Sequence, residues 1–288
     1  MKLALGTVQF GLAYGVSNQS GQVPLSAVKA MLQLASRHAI DTLDTAIAYG
    51  SSESRLGQAG TSAFKVVSKL PEVPITCTDI NNWVQEQVAG SQARLGINSL
   101  YGLLLHKPDQ LLEEKGIEIY RALQSLKLGG SVQKIGISIY TPQQLDSLMP
   151  HYSFDLVQAP LNLIDRRLHT SGWLQRLALE GVEVHTRSAF LQGLLLMPQA
   201  AVPAWFSQWS TVWAKWYEWL SSNEVSAVQA CLAYPLSLAG VSRVLVGADS
   251  PEQLAQIIGA AAQKPIADLP DLQSTDENLM NPARWSLL

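Results

Sequence analysis

Cysteine is scarce in this 288-residue chain: Cys77 and Cys231 are the only two, far apart, and they form neither a C-x-x-C pair nor a metal-ligand spacing. A disulfide scaffold is excluded, and a reducing cytosol is expected rather than secretion. Charge of either sign is sparse. Only 15% of residues are charged, and 20 Lys and Arg against 23 Asp and Glu leave a net charge of −3. Such a surface carries no electrostatic footprint for nucleic acid or anionic membranes, and neither is expected as a partner. No apolar run approaches the ~20 residues that cross a bilayer. The run Met1–Gly6 is too short before Gln9 for a signal peptide. His38, His151, His169 and His185 form no H-E-x-x-H or other metal spacing, and no G-x-G-x-x-G follows a strand. No metal site and no Rossmann module are therefore expected.

What the chain has is apolar residue, 47% of the total, enough for a substantial core. Short apolar runs alternate with amphipathic segments throughout, the pattern of repeated βα units. The strand candidates are Leu3–Thr7, Thr42–Thr45, Lys65–Lys69, Gly102–His106, Lys134–Ser138, Leu156–Pro160, Val182–Arg187 and Arg243–Val246. Helices are expected at Leu25–His38, Asp79–Leu95, Leu111–Leu128, Val225–Leu238 and Pro251–Ala262, with Ser250 as an N-cap. Gly96 and Gly129 suit C-terminal caps. Eight strands with room for helices between them predict a closed (β/α)8 barrel, an α/β fold in one domain over residues 1–288. Two segments break the rhythm. The loop from Gln9 to Pro24 is long and polar, and an insertion between Gly193 and Asn223 carries Trp205, Trp209, Trp213, Trp216 and Trp219. The helical spacing of Trp205, Trp209, Trp213 and Trp216 favours packing on the barrel; contact of one or two with a substrate is the other reading.

The strand ends carry the chemistry. Asp44-Thr45-Ala46-Ile47-Ala48-Tyr49-Gly50 follows an apolar strand and reads as its closing loop. Lys69 closes the third strand and His106 the fourth. In a parallel barrel all these ends meet at one face. A carboxylate, a phenol, an ammonium and an imidazole together make an acid set suited to a carbonyl.

Asp-x-Ala-x-x-Tyr-Gly, then a strand ending in Lys, then a Leu-rich strand ending in His-Lys-Pro, resembles the aldo-keto reductase family. The likeness runs from Leu5-Gly6-Thr7 to Val246-Gly247. It implies reduction of a small-molecule carbonyl with a nicotinamide cofactor, NADPH by preference and NADH as an alternative. Tyr49 would be the proton donor and Lys69 the cation that eases release. Asp44 would hold Lys69, and His106 would orient the carbonyl. The resemblance extends to cofactor residues: Thr7 and Asp44, Ser138 in Gly136-Ile137-Ser138, and Gln158. It also covers Ser188, Phe190 and Gly193 along the pyrophosphate, and Gly247, Ser250 and Gln253 at the adenosine end. Arg187 is also expected to meet the cofactor: it stands where a tyrosine usually stacks on nicotinamide, and a planar guanidinium can stack on a ring too. Ile139 stands where an asparagine often follows Ser138. No lysine or arginine occupies Gly247–Gln253. A cytoplasmic monomer or weak homo-oligomer is expected. The rivals are a reductase-like cofactor-binding or regulatory subunit and a metal-dependent barrel hydrolase.

Overall fold

The computed structural model describes residues 1–18 and 20–285; Gln19 of the expected first loop and the last three residues of the expected domain lie outside the described residues. Eight parallel strands pair in sequence order, and the first closes on the last. They are β1 (Leu3–Gly6), β2 (Thr42–Asp44), β3 (Lys65–Leu70), β4 (Leu100–Leu105), β5 (Val132–Ser138), β6 (Leu156–Pro160), β7 (Glu183–Arg187) and β8 (Arg243–Val246). The expected (β/α)8 barrel is the fold, and β6 and β8 have their expected bounds.

The main core lies between strands and helices, where the buried faces of Leu25–Arg37, Ile80–Leu95 and Pro251–Ala261 pack on the sheet. Val67, Leu104 and Leu156 form a separate small cluster. Each lies two residues before Lys69, His106 and Gln158, and alternation in a strand puts residues two apart on one face. These three therefore fill the barrel interior beneath the site. The opposite end is closed by charge. Tyr101 donates to Glu183 at 2.7 Å, His185 Nε2 lies 2.7 Å from the same carboxylate, and Lys134 pairs with it. Burial alone would raise the Glu183 pKa, but bonds from His185, Lys134 and Tyr101 hold it far below the carboxylate range.

Several expectations need correction. The helix expected over Leu111–Leu128 begins only at Gly116, after a separate 3-10 turn at Pro108–Leu112. Gly116 lies against the Leu111 carbonyl, where a Cβ would fall 2.0 Å from its oxygen. The chain thus folds back on itself before the helix starts. Gly129 stays right-handed and Gly130 takes the left-handed turn at φ 77°. The loop after β1 opens with a one-turn helix, Val8–Gly11. Gly96 caps its helix in the left-handed region as expected, and Ser250 accepts from the Gln253 amide as an N-cap.

The tryptophan segment is a 3-10 turn, Ala204–Trp209, running into the helix Ser210–Asn223. Trp213 and Trp216 are buried, and their indoles donate to the Phe206 and Leu195 carbonyls at 2.7 and 3.1 Å. Trp209 donates to Asp276 at 3.0 Å. None of the five lines the large cleft at the strand ends. All five lie in or pack against the main core.

Candidate active site

Lys69 points into the mouth of the barrel and is 1% exposed. An unpaired ammonium there would be costly to desolvate. Its Nζ donates to Asp44 Oδ1 at 2.6 Å and to the Thr45 carbonyl at 3.0 Å, and lies 5.1 Å from the Tyr49 ring centroid. Burial pulls the Lys69 pKa down, but Asp44 and Tyr49 outweigh it and hold the ammonium above its ordinary range. The other Asp44 oxygen accepts from Gln158 Nε2 at 2.7 Å. Each carboxylate oxygen thus has its own donor. Thr7 Oγ1 donates to the Asp44 carbonyl at 2.9 Å and ties β1 to the same point.

Tyr49 is held by its backbone. Gly11 approaches so closely that a Cβ there would fall 1.7 Å from the Tyr49 carbonyl oxygen, and Gly50 takes φ 54° against the Gly11 carbonyl. Only glycine permits that contact. The motif's Tyr-Gly spacing is therefore a packing requirement between two loops.

His106 follows β4, with its ring centroid 5.9 Å from that of Tyr49 at an interplanar angle of 79°. Burial first, and the Lys69 charge second, lower its pKa to about 4. The imidazole is therefore neutral at pH 7 and keeps one N–H to donate. An unfolded histidine takes its proton near pH 6.5. Folding thus expels a proton, and this residue's contribution to stability should be present above about pH 6.5 and decline as pH falls toward 4. An NMR titration of His106 should give a midpoint near 4; a midpoint at 6.5 would mean that the site is wetter than its packing implies.

A cleft of about 310 Å³ runs from this cluster to the loop after β8. Ser138, Gln158, Arg187, Ser188, Phe190, Gly193, Gly247 and Gln253 line it together with Thr7 and the four residues above. Ser250 is spent as the helix cap and does not line it. Gln158 faces Asp44, and its Oε1 lies 3.5 Å from Ser138 Oγ.

Sequence reading assigned no role to Gln9, Tyr14, Tyr140, Gln192 or Asp249, which also line the cleft. Tyr14, an aromatic inside a polar loop, was the one visible signal. Its hydroxyl accepts from Gln192 Nε2 at 3.0 Å, and Asn18 Nδ2 donates to Asp249 at 3.2 Å. The first loop is thus fastened to the loops after β7 and β8. Gln9 Oε1 is buried with no partner among the described residues, beside Gly247.

The profile of the Aldo/keto reductase family matches residues 2–277. The chain belongs to the aldo/keto reductase family. Membership implies oxidoreductase chemistry, and members of the family generally bind nicotinamide cofactors. A Pseudomonas aeruginosa protein assigned to the aldo-keto reductases has a similar structure, at 25% identity and a TM-score of 0.67 over 91% of this chain and 90% of that one. An aldo-keto reductase from Bacillus halodurans, in its holo form, shares the fold at 19% identity and a TM-score of 0.72, over 92% and 88%. No curated protein matches the sequence. No helix among the described residues is long and apolar enough to cross a membrane. Nor do three or more His, Cys, Asp or Glu side chains among them converge on a possible metal position.

Proposed function

We propose that this aldo/keto reductase reduces an aldehyde or ketone to an alcohol with NAD(P)H, and that Tyr49 donates the proton. The observation that carries the reading is the buried Lys69, paired with Asp44 and set beside Tyr49. A phenol with a pKa of about 10 is a reluctant acid near neutrality. A cation fixed beside it favours the phenolate that proton donation leaves behind. The Asp44 carboxylate fixes that cation, and Gln158 in turn fixes the carboxylate. His106, neutral at pH 7, offers an N–H to the carbonyl oxygen without adding a charge. The bound nicotinamide would supply the hydride.

The cleft suits a dinucleotide. Its lining from Tyr49 to the loop after β8, the orphaned Gln9 Oε1, and the hydroxyl and amide side chains of Ser188, Gln192 and Gln253 are the features in its favour. Ser138, Gln158, Ser188, Gly193, Gly247 and Gln253 would hold it. Purified protein should consume NADPH when given a reactive aromatic aldehyde, at a rate that a chelator leaves unchanged. No consumption across a panel of aldehydes, ketoses and sugar derivatives would sink the proposal.

Selection between the two cofactors should be weak. Among the described residues, Lys69 and Arg187 are the only cations lining the cleft, and both sit with the reacting groups. Arg243 is turned away, in a pair with Asp41 at 3.0 Å. NADPH is the expected partner, but with no bidentate guanidinium for its 2′-phosphate. The ratio of the two dissociation constants should stay below about a thousandfold, roughly 4 kcal/mol. A larger ratio would reveal an unseen basic clamp.

A further inference from the structure

Arg187 ends β7 in the same cleft as Tyr49 and His106. Its guanidinium carbon lies 4.6 Å from the Tyr140 ring centroid, a stacking distance that covers one face of the plane. Nη2 donates to the Ile139 carbonyl at 3.0 Å, and Nη1 to Ser188 Oγ at 3.3 Å. Five N–H groups are available to an arginine, and these two bonds leave most of them unspent.

Counter-charge is missing. Arg94, Arg167 and Arg243 each hold a carboxylate. No carboxylate among the described residues lies within salt-bridge distance of Arg187, although it is partly buried. Of the acids lining the cleft, Asp44 pairs with Lys69 and accepts from Gln158, and Asp249, in the loop after β8, accepts from Asn18. Lys69 is neutralised by its partner, so the reacting end of the cleft carries one uncompensated positive charge. That charge is felt at both His106 and Tyr14, which locates it beside the reacting groups.

We propose that Arg187 recognises an oxyanion of the substrate, so that the preferred carbonyl compound carries a carboxylate or phosphate group. The inference rests on the reductase reading above. Tyr140 holds the guanidinium plane, and the Ile139 carbonyl fixes one edge. A held plane presents its remaining N–H groups as a fork, the arrangement that carboxylate and phosphate match with paired bonds. A neutral substrate would leave the charge partly desolvated and unpaired, which disfavours its binding.

Three aldehydes of one skeleton test this: 4-carboxybenzaldehyde, 4-formylphenyl phosphate and the neutral methyl 4-formylbenzoate. Each is measured with the parent protein, Arg187→Met and Arg187→Lys. The parent should favour at least one anionic aldehyde over the ester by about tenfold or more in kcat/KM, mainly through KM. Which anion is favoured distinguishes carboxylate from phosphate. Arg187→Met should bring that ratio to within about twofold of unity. Arg187→Lys keeps the charge but not the fork and should fall between. Calorimetric binding of the same aldehydes to the NADP complex gives a readout that needs no turnover, so a chain that binds anions selectively yet reduces nothing would refute the reductase reading alone. Equal treatment of anion and ester by the parent overturns the proposal. So does a uniform loss for all three aldehydes in Arg187→Met with a matching loss of NADPH affinity, since that pattern belongs to a cofactor contact. Should Arg187→Met fail to fold, the lysine variant still decides: an unchanged ratio there counts against the fork.

Discussion

Tyr49→Phe is expected to lower kcat by about a hundred- to ten-thousandfold, the usual contribution of a positioned acid, while NADPH binds nearly as before. The substitution removes one oxygen and leaves the ring in place. The contacts that position the residue, Gly11 and Gly50 against its backbone, do not involve the hydroxyl. The residues proposed for the cofactor belong to β5 to β8 and the loops after them. Stopped-flow turnover read beside nicotinamide fluorescence separates the two effects. Near-full turnover with tight binding would remove Tyr49 from the reaction. His106, neutral down to about pH 4, would then be a poor substitute, because an imidazole that resists protonation has no second proton to give.

Lys69→Met should damage the enzyme twice. Catalysis loses the cation beside Tyr49, and the fold loses half of a buried pair. The Asp44 carboxylate would be left with the Gln158 amide as its remaining hydrogen-bond donor among the described residues. Removing one partner of a buried pair typically costs about 3–5 kcal/mol, a large share of a total stability of about 5–15 kcal/mol. The double variant Asp44→Asn, Lys69→Met should recover much of the melting temperature and none of the turnover. Adding Lys69→Met to Tyr49→Phe should cost far less in kcat than the product of the two effects, because residues acting as one unit are not additive. A Lys69→Met protein as stable as its parent would show that Asp44 is not held charged in the fold.

The barrel was legible for a simple reason. Strands buried on both faces read as continuous apolar runs, and Leu3–Leu5, Leu103–Leu105 and Val244–Val246 stand out in this way. Lys69 and His106 were legible because each interrupts such a run at its end. The bond from Gln158 to Asp44 was not, since it joins residues 114 apart across the barrel mouth and depends on closure. Tyr140 was hidden for a similar reason, because its significance lies in a stack on Arg187 from another strand end. The break before Gly116 escaped notice because its sequence has good helix formers on both sides, and the reversal comes from a backbone contact with Leu111. Arg187 itself was visible as a departure from the family pattern. What it lacked, a carboxylate partner, became visible only in three dimensions.

The fastening of the first loop has a kinetic consequence. Tyr14 to Gln192 and Asn18 to Asp249 are two latches on one strap across the cleft, and Gly193 leaves just enough room for Ser17 beneath it. A hydrogen bond of the first kind contributes about 0.5–1.5 kcal/mol, and one to a charged group such as Asp249 about 1.5–3 kcal/mol. If release of a bound cofactor requires both to open, that step is common to all substrates, whatever their reactivity. Turnover numbers for a series of increasingly reactive aldehydes would rise and then level at one ceiling, set by the strap rather than by the proton.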